Sequence, residues 1–190
     1  MALGAIAPDY FEFDNPAAHS QTRDPEIDAA GKPDLDPQRY AASQRESFRS
    51  AQTWRQHYFE AAVAAAKDGQ RERAALMLGY TLHNVEDYGT HRGIPNALHA
   101  GLDAAGHSPD RDETRLASAK VLASIYIERF REEIGSDNWK LFNGEAVRRP
   151  GQTYATVPAP LTVVSGLADW DPRSGLIPPA PGYLRKDVVK

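Results

Sequence analysis

Residues 78–91 read LGYTLHNVEDYGTH, and this stretch decides the fold class. Leu78, Leu82 and Val85, with Ala75 before them, recur at the three- and four-residue steps of an α-helix. His83, Asp87 and His91 recur at strict four-residue steps within the same stretch. Four residues carry a helix about 40° past one full turn, so these three side chains form a slightly slanting row beside the apolar stripe. Gly79 stands one turn earlier in that row, where the missing side chain lets a backbone or a ligand shell come close. The row therefore borders the interior of a bundle or the edge of a cleft. An aspartate between two histidines is costly there unless a cation satisfies it.

Outward from this segment the helical reading continues. Upstream, Phe48, Ala51, Tyr58, Ala62 and Ala65 form a stripe widened by Trp54 and Phe59, in a helix that opens near Pro37 and closes at Asp68-Gly69. The His83 helix runs from about Gln70 to His91. Gly93, Pro95 and Gly106 leave room for a short helix at 96–105. A third long helix is predicted from Glu113 to Ile134, with Leu116, Ala119, Leu122, Ile125, Tyr126, Phe130 and Ile134 as its stripe. Asp110 or Asp112 is its expected N-cap and Gly135 its expected stop. Residues 1–37 read as an irregular arm, and the chain after Asn143 is rich in Pro and Gly, with APLTVVSGL as its one strand-like piece. The expectation is an all-α domain: a bundle of three or more long helices over residues 1–143, with a tail, 144–190, packed on it.

Composition narrows the chemistry. The chain of 190 residues has no cysteine, so disulfides, thiolate zinc sites and cysteine nucleophiles are excluded together. Any metal must be held by imidazole and carboxylate. A net charge of −4 argues against a broad basic surface for tracking nucleic acid, although bound cations supply positive charge locally. No apolar run approaches the roughly 18 residues of a membrane span. The opening MALGAIAPDYF does not read as a signal peptide, so a cytoplasmic protein, or one exported by a signal-independent route, is expected.

Four of the six histidines fall between positions 83 and 107. Zinc accepts neutral imidazole and carboxylate, and sites between bundle helices are common. The helix row supplies part of one shell. His107 and His99 are further donors, and Asp110 in the HSPD turn adds a carboxylate. His99 has a second reading as the partner of Asp103 four residues on, and His57 reads as a helix histidine among aromatics. HExxH, an adjacent His-Asp dipeptide, helical ExxH pairs, GxSxG and Walker loops are all absent.

The motif LGYTLHNVEDYGTH, with GAIAPDYFEFDNPAAHSQT at residues 4–22, resembles the zinc-dependent phospholipases C and the related single-strand-specific nucleases. The resemblance covers roughly residues 3–20 and 45–130. It implies an all-α fold and a zinc-dependent hydrolase that cleaves phosphodiesters with a metal-activated water, on a phospholipid head group or single-stranded nucleic acid. It further implies that Asp9, His19, His83 and Asp87 form one zinc shell, with Asp14 the rival to Asp9. Asp87 is then shared between metals, and His91, His107 and Asp110 form the second shell. Asp87 and Asp9 are the implied catalytic carboxylates, Asp9 or Asp14 orienting the hydroxide.

Two spacings depart from the superfamily pattern. His91 follows Asp87 by four residues where six is usual, and His107 precedes Asp110 by three where four is usual. With Met1 at the start and no histidine before His19, two zinc ions are expected, where the superfamily holds three. The pattern HxxxDxxxH followed by GHxPD is similar to short phospholipase-C-like domains of bacterial multidomain and polymorphic-toxin proteins. Tyr10, Phe11, Phe13 and Tyr88 are read either as a pocket lining or as core aromatics. Arg92 and Arg111 are read either as phosphate contacts or as solvated charges. A non-catalytic, metal-stabilised module stays open as an alternative.

Overall fold

Asp36 opens the bundle. Its carboxylate accepts hydrogen bonds from the backbone N–H groups of Gln38 and Arg39, and Pro37 sits at the first helical position, where no N–H is needed. The helix that follows, α1, spans Pro37–Lys67 and ends at Asp68 and Gly69, the latter at φ 74°. In the computed structural model, which describes residues 8–9, 15–22, 24–25, 30, 32–33 and 36–158, three more α-helices follow. They are α2 (Arg71–His91), α3 (Asn96–Ala104) and α4 (Glu113–Phe142), with a 3-10 turn at Pro109–Arg111 between the last two. The protein is all-α. No helix among the described residues is long and apolar enough to cross a membrane. The strand-like piece expected at 159–167 lies outside the described residues.

Helix α2 is the middle element. Met77, Leu78, Tyr80, Leu82 and Val85 are all buried, which one apolar stripe alone would not achieve. It packs against α1 through Tyr80, whose ring lies 4.9 Å from Tyr58 and 5.8 Å from Trp54. Helix α4 covers another side, bringing Phe130 within 6.4 Å of Phe59. Its buried line runs through Ala119, Ala123, Phe130 and Ile134. Ile125, expected on that line, is exposed, because it stands about 200° around the helix from Ala123.

Asp112, not Asp110, caps α4 by accepting from the Arg115 N–H. Gly135, at φ 79°, interrupts the helix as expected, yet helical structure resumes to Phe142. Trp139 and Phe142 stack at 5.9 Å and Phe142 packs on Phe130, so apolar burial draws the last two turns back onto the core.

The N-terminal arm is tied down by one side chain. Asn84 of α2 is fully buried, and its amide nitrogen donates to the carbonyls of Ala17 and Ala18. Its amide oxygen accepts from Arg55 of α1, and its backbone carbonyl accepts from the Ser20 hydroxyl. Beyond it, Thr22 bridges to Pro95, and Asp24 accepts from the Ala97 N–H in the first turn of α3. Asp24 thereby caps a helix whose own N-cap, Pro95, offers no side-chain hydrogen bond.

Two outcomes follow. A Cβ on Gly89 would lie 2.6 Å from the Ala119 backbone, so Gly89→Ala must push α4 off α2. Urea unfolding is expected to show a loss of about 1–3 kcal/mol, and unchanged stability would contradict so close a packing. Asn84→Ala strands two carbonyls and a guanidinium, and is expected to cost about 2–4 kcal/mol in the same assay.

Candidate metal centre

The three row residues of α2 face the arm and the α3 corner. His83 and His91 are buried, and the Asp87 side chain keeps 14% of its exposure. From the arm, the turn Asn15–Ser20 presents His19. The Ala17 N–H is held by the Asn15 side chain and the Ala18 N–H by the Asn15 carbonyl. His19 Nδ1, His83 Nε2 and Asp87 Oδ2 then form a triangle with edges of 3.0, 3.0 and 3.1 Å. Asp9, half-exposed, completes a first donor group, with Oδ1 3.7 Å from His83 and 3.8 Å from His19.

A second donor group lies one turn on. His91 Nε2 is 2.7 Å from Asp110 Oδ1 and 3.1 Å from His99 Nε2, which is 3.5 Å from Asp110 Oδ2. Three elements meet here: α2, α3 and the 3-10 turn, whose Pro109 is buried. Donors bonded to zinc at about 2.0–2.1 Å in a tetrahedron stand about 3.3 Å apart, and both groups approach that size. In the first, three atoms with acceptor lone pairs converge with at most two imidazole protons between them, which a small divalent cation would satisfy at once. Asp9, His19 and His83 in the first group, and His91, His99 and Asp110 in the second, could each hold a metal ion.

Asp87 lies between them. Its Oδ2 belongs to the first group, while Oδ1 faces His91 Nδ1 at 3.7 Å. Burial pushes its carboxyl up, but hydrogen bonds from His19 and His83 and positive charge on His83 and His91 outweigh this, and it is lowered from 3.8 to about 2. Neighbouring Glu86 moves the other way: burial raises it more than charge on His83 lowers it.

The other expected site residues are spread more widely. His107 is exposed and not part of the second group, where His99 stands. It lines an adjoining groove of about 360 Å³ with Ile94, Leu102, Arg111 and Arg115. Tyr88 is packed edge-on against Phe48, with Arg55 and Arg92 over its ring at 5.4 and 5.3 Å. Arg92 is itself exposed. His57 sits against Tyr58, apart from both groups. Tyr10, Phe11, Phe13 and Asp14 lie outside the described residues.

Sequence reasoning did not single out Asn84, Asp24 or a supporting role for Asp103. An asparagine inside an apolar helical stripe was the one available signal, since it must find partners when buried.

A family model described as zinc-dependent phospholipase C matches residues 1–140. Searches of curated proteins and of solved structures returned no significant match. With most of its length matched, helical bundle and histidine row included, the chain belongs to the zinc-dependent phospholipase C family, a family of hydrolases.

Proposed function

We propose that this protein hydrolyses phosphodiesters of the phospholipid head-group type with two zinc ions, one in each donor group. The observation that carries the reading is the pair of donor triangles on successive turns of α2, joined through Asp87 and His91. His19, His83 and Asp87, with Asp9 at the rim, hold one ion; His91, His99 and Asp110 hold the other. Metal bound in such groups acidifies water and offsets negative charge on phosphoryl oxygens.

The protein's own residues do the rest. Asp9, the most exposed carboxylate of the first group, is placed to take a proton from the attacking water. Asp87, held ionised by its imidazole partners, keeps His19 and His83 turned inward. The groove beside the second group gathers His107, Arg111 and Arg115, and the Arg115 guanidinium is anchored on the Thr90 carbonyl at 2.6 Å. The two guanidinium groups, beside the Asp112 carboxylate that shares the groove, suit a phosphate lying against the metal pair. Arg92 and Tyr88 border the same end of α2 and are the further candidates for substrate contact.

Purified protein is expected to carry two zinc ions per chain and to cleave a choline phosphodiester, with loss of activity on chelation and recovery on adding zinc. Asp87→Ala should lose zinc and depress turnover beyond the about 10–100-fold usual for residues outside the ligand shell. A zinc-loaded protein that cleaves only single-stranded DNA would move the substrate to nucleic acid. One that cleaves neither would contradict the hydrolase reading and favour a metal-stabilised module.

A further inference from the structure

The second donor group has a feature that its three ligand atoms do not explain. While His99 Nε2 faces His91 and Asp110, its other nitrogen, Nδ1, lies 3.0 Å from Asp103 Oδ2 one turn on in α3. His91 differs: its Nε2 is in the group, but its Nδ1, 3.7 Å from Asp87 Oδ1, makes no hydrogen bond among the described residues. A carboxylate behind an imidazole holds the proton on the rear nitrogen, leaves the front lone pair for a cation, and fixes the ring plane.

Ser108 caps the adjoining 3-10 turn, its hydroxyl oxygen accepting from the Asp110 backbone N–H at 3.3 Å. An isolated surface ion pair would not have the second nitrogen of its His in a cluster of donors.

We infer that Asp103 is a positioning residue for the second metal, setting the tautomer and ring orientation of His99 through its carboxylate. This rests on the two-metal reading above. Asp103 touches neither the first group nor the hydrophobic core, so it acts on one site only. Its side chain is largely exposed, and removing it leaves no buried group stranded in the core.

The test is metal binding by the full chain, read without any substrate. Zinc-free wild type, Asp103→Ala and Asp103→Glu are titrated with zinc and with cobalt(II), whose visible spectrum reports coordination, and thermal unfolding is followed in parallel. Wild type is expected to take two ions. Asp103→Ala should keep the first affinity and the apo-protein melting temperature, while the second affinity falls about 10–100-fold and the second cobalt spectrum changes. Asp103→Glu should recover part of that loss. Wild type and Asp103→Ala binding two ions with equal affinity would overturn the inference and leave the two-metal reading intact. Equal weakening of both sites by Asp103→Ala would also overturn it. Wild type taking fewer than two ions would overturn both.

Discussion

A buried carboxylate surrounded by imidazoles governs this structure. Asp87 receives His19 and His83 on one oxygen and faces His91 with the other. Such a charge is tolerable in a protein interior only when ringed by donors or cations, and here the donors come from parts of the chain far apart in sequence. His19 lies 68 residues before Asp87, so holding it there requires the arm to be closed against α2. The Asn84 clamp does this, using one amide to bind two arm carbonyls and the Arg55 guanidinium. The site and the fold are thus the same problem: α2 is buried on several sides because it must meet α1, α4 and the arm while turning the His83–Asp87–His91 row towards the arm and the corner.

The two donor groups differ in construction. The first draws on α2 and the arm, with the half-exposed Asp9 at its rim. The second is assembled at a corner, where α3 departs after Pro95 and the 3-10 turn returns, and its order depends on Asp24 capping α3 from outside. Metal bound at either group adds its binding free energy to folding, because neither donor set exists in an unfolded chain.

Much of the bundle was legible from residue order. Asp36-Pro37 and Asp68-Gly69 bracket α1, and the 3.6-residue recurrence of Leu78, Leu82 and Val85 marks α2. The row of His83, Asp87 and His91 was legible for the same reason, since four-residue steps keep the three on one face whatever else the chain does. What residue order concealed is long-range. The helix restart after Gly135 depends on Phe142 reaching Phe130. Whether His99 or His107 meets His91 depends on the angle at which α3 leaves Pro95. That angle is decided by Thr22 and Asp24, more than 70 residues away in sequence. Spacing read along one helix carries no information about such a corner.

The most direct measurement is anomalous diffraction at the zinc edge from crystals of the zinc-loaded protein. Two peaks are predicted, one within about 2.0–2.2 Å of His19, His83 and Asp87 donors and one at that distance from His91, His99 and Asp110. A single peak, or a second ion held by His107 with His99 turned away, would contradict the account.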